Sequence, residues 1–184
     1  MTARIILLNG AGSSGKSSIA KAIQARARGV YLHVQMDTWL EMMPARTFGA
    51  PEGLTFLFGE ADGRSVVEVV TGPKQGQALR GMRRAVAAMA DEGCNMVVDE
   101  VIFAAADVDD YRTLLRAHDL QVVGVHAPLD VLEAREKARG DRAIGLARGQ
   151  FGIVHRGIAY DFEVDTGRAS ADDCAQAIVE RFTL

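Results

Sequence analysis

Short apolar runs alternate with amphipathic stretches along almost the whole chain. Ile5 to Leu8 is a continuous apolar run with β-branched members, the composition of a strand buried on both faces of a parallel sheet. A Gly/Ser turn follows, and Ile19, Ala20, Ile23 and Ala27 then recur at helical spacing. Tyr31 to Met36 predicts a second strand, and Thr38 to Met43 a short helix stopped by Pro44. Leu79, Met82, Val86 and Met89 mark an amphipathic helix ended at Gly93. Met96-Val97-Val98 predicts a third core strand, terminating in Asp99-Glu100, and Val108 to Ala117 a helix. Val122 to Val125 predicts a fourth strand, and Pro128 opens a helix running to about Arg139. Tyr160 to Val164 is a candidate fifth strand. Ser170 is placed to cap a last helix, with Asp172 and Asp173 in its first turn and Ala171, Ala175, Ile178 and Phe182 on its apolar face. Strand-helix alternation of this kind predicts an α/β fold around a parallel sheet of about five strands with right-handed crossovers.

Two stretches break the rhythm. Residues 44 to 73 carry Pro44, Pro51 and Pro73, with Leu54 to Phe58 and Ser65 to Val70 placed to pair as a hairpin across Ala61-Asp62-Gly63. Gly140 to Gly149 is rich in glycine and arginine. The expected organisation is a single domain over 1–184, with a substrate-side insertion at about 44–76 and a lid at about 135–149.

The composition narrows the function classes. The 184 residues are 48% hydrophobic and 24% charged, an ordinary globular balance that argues against disorder. A net charge of -3 lacks the basic face that nucleic acid demands, so no nucleic-acid partner is expected. Two distant cysteines, Cys94 and Cys174, form no CxxC pair and read as buried thiols. With no membrane-length apolar run and no leader pattern, the chain reads as cytoplasmic, without a membrane partner.

Chemistry concentrates after the first strand. Gly10-Ala11-Gly12-Ser13-Ser14-Gly15-Lys16-Ser17 matches G-x-x-x-x-G-K-[ST] in full, between a buried-type strand and an amphipathic helix. Such a loop turns backbone N–H groups and a helix N-terminus toward phosphate oxygens. Residues 10 to 18, ending at Ser18, form the expected nucleotide cradle. Within it, Lys16 would reach the β- and γ-phosphates and Ser17 would bind Mg²⁺. Asp99, at a strand end, suits the same metal shell. Glu100 has three readings: positioning water, meeting substrate, or no chemical role. Asp37 belongs on the same rim and is either a general base or the N-cap of the following helix. Arg135, Arg139 and Arg142 suit a lid that clamps transferring phosphoryl charge. The four histidines (His33, His118, His126 and His155) lack metal-ligand spacing, and Trp39 fits either an aromatic pocket or the core.

Several segments together resemble the chloramphenicol phosphotransferase family of P-loop kinases. They are Ile6 to Ser17, Asp37 with Met43-Pro44, Val97 to Val101, Ala138 to Arg142, Val154-His155, and Gly157 to Thr166. The resemblance implies a three-layer α/β sandwich with strand order 2-3-1-4-5 and ATP-dependent phosphorylation of a hydroxyl on a small antibiotic. It also implies Asp37 as base, Lys16 and Ser17 as phosphate and metal ligands, and the lid arginines as an ATP clamp. Arg46 to Gly76 departs from the family pattern, and Glu100 stands where the pattern has Asp. Competing expectations are a nucleotide-sugar kinase of the zeta-toxin kind and a P-loop ATPase acting as a switch.

Overall fold

The computed structural model describes residues 2–140 and 142–184. Five parallel strands form the central sheet: β1 (Arg4–Asn9), β2 (Tyr31–Gln35), β5 (Asn95–Glu100), β6 (Asp119–His126) and β7 (Phe162–Asp165), ordered β2-β5-β1-β6-β7. Counted among core strands, this is the expected 2-3-1-4-5. Alternation along β1 divides the interior. Ile6 and Leu8 pack with Ile19 and Ile23 of α1 (Lys16–Arg26) and Ile178 of α7 (Ala171–Phe182). Ile5 and Leu7 pack on the other face with Met82 and Val86 of α3 (Pro73–Asp91) and Val108 and Tyr111 of α4 (Ala105–Leu114). A strand buried on both faces needs apolar residues at every position, which is why β1 reads as an unbroken run. Ile6 and Leu7 are fully enclosed, and truncating either to Ala should cost about 2–5 kcal/mol.

Register brings the chemistry to one rim. Leu8 lies beside Asp99, and Gln35 lies beside Asp99 from the other side. The loop after β1, the end of β5 and the residues after β2 therefore leave the sheet together, at the carboxyl ends where α/β sheets bind ligands.

Several boundaries differ from the sequence expectation. β2 stops at Gln35, and α2 spans Met36–Glu41, so Asp37 lies in a helical first turn, which its charge favours. α4 begins at Ala105 rather than Val108, because Val108, Tyr111 and Leu115 are its buried stripe rather than its start. β7 begins at Phe162. The two residues before it are held by side chains: Tyr160 by Asn9, and Asp161 by the Val122 N–H.

The insertion forms a separate two-stranded sheet after a short 3₁₀ turn (Ala45–Thr47): β3 (Leu54–Ala61) against β4 (Arg64–Thr71). Asp62 and Gly63 both have positive φ (52° and 70°), so a two-residue type I′ turn joins strands longer than expected. The glycine- and arginine-rich stretch also contains a helix. After α5 (Leu129–Arg139), α6 (Leu146–Phe151) is capped by Glu136, whose carboxylate accepts from Gly145 N at 2.8 Å and Ala147 N at 2.7 Å. Two glycines let α6 meet the hairpin backbone. A Cβ at Gly145 would lie 2.5 Å from Ser65 O, and one at Gly149 would lie 2.0 Å from Val67 O. Asp141, inside the lid expected at about 135–149, lies outside the described residues. Among the described residues no helix is long and apolar enough to cross a membrane.

Candidate active site

The loop between β1 and α1 is curled by necessity. A Cβ at Gly10 would sit 2.3 Å from Val125 O, and Gly15 takes φ 92° where α1 begins. Lys16 is nearly enclosed and folds back across the loop, donating from Nζ to Gly10 O at 3.0 Å and Ala11 O at 3.1 Å. Burial pulls its pKa below that of an ordinary lysine, against the opposing pull of Asp99 and Asp37. Ser13 Oγ and Ser14 Oγ are buried without a partner among the described residues, leaving hydrogen-bonding capacity inside the cradle. Gly12 N donates to Gln150 Oε1 at 2.6 Å.

Ser17, the second residue of α1, donates to Asp99 Oδ2 at 2.6 Å. Lys16 Nζ lies 3.9 Å from Asp99 Oδ1, and His33 Nε2 lies 3.5 Å from Oδ2. Burial alone would raise the Asp99 pKa, but His33, Lys16 and Ser17 together outweigh it and hold the carboxyl below its usual range. A hydroxyl and an ionised carboxylate on rigid element ends fit Mg²⁺, which takes hard oxygen donors. Among the described residues no three His, Cys, Asp or Glu side chains converge, so phosphate oxygens and water would complete such a shell.

A cleft of about 490 Å³ opens over the cradle, and the candidate residues gather around it. Ser13, Gly15, Lys16, Ser17 and Ser18 line it together with Asp37, Asp99, Arg135, Arg139 and Arg142. Gly10, Ala11, Gly12 and Ser14 lie in the turn beneath. Asp37 caps nothing: no side-chain cap is made at the start of α2, and its carboxylate accepts from Arg142 Nη2 at 2.7 Å. Arg135 donates to Thr166 Oγ1 at 2.9 Å and Thr166 O at 2.8 Å. Thr166 in turn donates from Oγ1 to Ser14 O at 2.8 Å, joining α5 to the cradle. In the sequence Thr166 is only the last residue of a family-like segment, with nothing to mark this role. Gln150 carries no sequence signal at all, because its contact to Gly12 spans 138 residues.

A second cleft, of about 690 Å³, adjoins the first and shares Asp37, Glu100, Arg139 and Arg142 with it. The hairpin contributes Leu54, Phe56 and Val69, α3 contributes Gln75 and Arg83, and Phe103 also lines it. Glu100 stands at the boundary, only 4% exposed, and accepts from the Tyr111 hydroxyl at 2.7 Å. Burial pushes its pKa up to about 7, although Tyr111 and Arg83 pull the other way. Trp39 lines neither cleft; it packs against the core and donates from Nε1 to Ala78 O at 3.0 Å. His126 and His155 stack at 4.0 Å, and His155 Nδ1 lies 2.6 Å from the Tyr160 hydroxyl.

A phosphate-type cradle on β1–α1, an acid at the end of the neighbouring strand, facing arginines and this sheet order together define a P-loop kinase fold. The chain belongs to the chloramphenicol phosphotransferase-like protein family, matching it over residues 3–183. It is 33% identical to a protein of Mycobacterium tuberculosis, in strains H37Rv and CDC 1551, provisionally assigned as an O-phosphotransferase, over 97% of this chain and 82% of that one. Its fold is similar to that of the M. tuberculosis APS kinase CysC solved with AMPPNP and APS (TM-score 0.70, 18% identity, covering 100% of this chain and 99% of that one). It is also similar to the Deinococcus radiodurans tunicamycin resistance protein (TM-score 0.65, 17% identity, covering 99% and 96%).

Proposed function

We propose that the protein transfers the γ-phosphoryl group of ATP to a hydroxyl of a small molecule, with an antibiotic such as chloramphenicol as the first acceptor class. One observation carries this reading: Asp37 lines both clefts, the one over the cradle and the one beneath the hairpin, as a base between nucleotide and acceptor would. The family description and the resistance-named structural relative support an antibiotic acceptor.

In the proposed reaction, Lys16 exchanges the Gly10 and Ala11 carbonyls for β- and γ-phosphate oxygens. Asp37 accepts the proton of the acceptor hydroxyl as its oxygen bonds to the γ-phosphorus and the bond to the leaving diphosphate breaks. Arg142, released from Asp37, meets the charge on the transferring group with Arg139, while Arg135 stays anchored on Thr166 and fixes α5 over the site. Ser17 and Asp99 would hold Mg²⁺, which supplies charge neutralisation on the β- and γ-oxygens.

The test is ATP consumption with Mg²⁺ and chloramphenicol, then other hydroxylated antibiotics, nucleosides and nucleotide sugars, with phosphorylated product sought by mass spectrometry. A product that Asp37→Asn abolishes while ATP binding persists supports the proposal. Phosphorylation of a nucleotide sugar alone would favour the toxin-like reading. ATP hydrolysis without any acceptor, lost in Glu100→Gln but kept in Asp37→Asn, would favour the switch.

A further inference from the structure

The second cleft holds a buried amide that the fold leaves unused. Gln75 lines it, is 1% exposed, and its Nε2 has no hydrogen-bond partner among the described residues. Unmade buried donors are rare in native proteins.

Its place in the sequence bears on the other end of the amide. Gln75 is the third residue of α3, after Pro73 and Lys74, where a glutamine Oε1 often accepts from the N–H before the helix, a contact that leaves Nε2 unpaired. That N–H is already used: Gly72 N donates to Gly53 O at 2.6 Å, and α3 has no side-chain cap. The backbone beneath is also fixed. Lys74 N donates to Glu52 O at 2.8 Å, and a Cβ on Gly72 would lie 2.2 Å from Pro51 O.

Of the charged side chains that line this cleft, two arginines are held by acids, while Arg80 and Glu41 also face it. Arg83 is held by Asp110 at 2.6 Å and Asp107 at 3.0 Å, and Arg142 by Asp37. What Gln75 itself offers unmade is a neutral N–H donor, which suits a neutral oxygen.

Resting on the phosphotransfer reading above, we infer that Gln75 is a specificity-determining residue. It donates from Nε2 to a second, uncharged oxygen of the acceptor, a carbonyl, ether or hydroxyl distinct from the one phosphorylated. A site built to bond such an oxygen discriminates against molecules lacking it, because its own donor is then left unpaired.

The test compares wild type with Gln75→Met, which keeps the bulk and removes the amide, and Gln75→Glu, which replaces the donor. Chloramphenicol and every other panel compound that wild type phosphorylates are the probes, each paired with an analogue lacking one oxygen. The expected result is a rise in acceptor KM on the order of 10-fold or more, with kcat and the KM for ATP nearly unchanged. The preference for the oxygenated member of one pair should collapse, and Gln75→Met should melt no lower than wild type. If wild type phosphorylates an acceptor and both variants keep its KM and pairwise preference, the assignment is overturned while the kinase reading stands. If Gln75→Met does not fold, the same two readouts on Gln75→Glu decide the question. If wild type binds ATP but phosphorylates nothing in the panel, the kinase reading fails and the assignment falls with it.

Discussion

Arg142 and Asp37, 105 residues apart, share a hydrogen bond of 2.7 Å across the mouth of the nucleotide cleft. The proposed base and a proposed phosphate-clamping cation are thus each other's partner before either meets a substrate. The pair is a surface one, with the Asp37 side chain 58% exposed, so breaking it should change stability by less than about 1 kcal/mol. Its effect on turnover should be far larger. Asp37→Asn is expected to lower kcat by roughly 10²–10⁴-fold, the usual worth of a positioned base. Arg142→Ala should also slow turnover while leaving the melting temperature nearly intact. Steady-state kinetics beside thermal melts of both variants check this.

Glu100 makes stability depend on pH. In the folded protein its carboxyl holds a proton up to about pH 7, against 4.5 for an ordinary glutamate, because burial disfavours the charge. Between those pH values the native state binds more protons than the unfolded chain does. The stability this group contributes is therefore full below the lower value and is lost as pH rises through the upper one. Glu100→Gln should remove that loss while still accepting from Tyr111. Relative to wild type, the variant should gain on the order of 1–3 kcal/mol between pH 4.5 and pH 8, read by denaturant unfolding at both ends.

Gly149→Ala would drive a methyl group into the hairpin backbone, 2.0 Å from Val67 O. Neither neighbour is a flexible side-chain end, so the strand or the helix must shift. A cost of about 1–3 kcal/mol is expected. In a chain of this length that lowers the melting temperature by roughly 2–4 °C per kcal/mol.

Ser170 and Asp173 cap α7 reciprocally: Asp173 N donates to Ser170 Oγ at 3.1 Å, and Ser170 N donates to Asp173 Oδ2 at 3.3 Å. Ser170→Ala should cost about 1 kcal/mol in the same melting assay and leave turnover unchanged.

What is legible in the sequence is what local chemistry dictates. The β1 run, the glycine loop and Lys16-Ser17 announce themselves within thirteen consecutive positions, and Ser170 with Asp173 does so within four. The rim shared by Asp37 and Asp99 follows from acids at, or just beyond, strand ends once the sheet is parallel. Contacts between distant segments are not legible. Nothing near Asp37 announces Arg142, and nothing near Gly12 announces Gln150. The helix α6 is hidden by its own composition. Gly145 and Gly149 read as breakers along the chain, yet they serve close approach to β4, and Glu136 supplies the cap from the preceding helix.

That glycine seam also bears on how acceptor preference can be re-engineered or inherited. The hairpin touches α6 main chain to main chain, with Val67 N donating to Gly145 O at 2.9 Å. A hairpin grafted from a relative will seat only if it arrives with residues 145–149, or meets equally small ones. If the proposed acceptor cleft is right, drift in acceptor choice in this scaffold should leave a paired signature, with the hairpin and the arginine-bearing segment exchanged as one cassette.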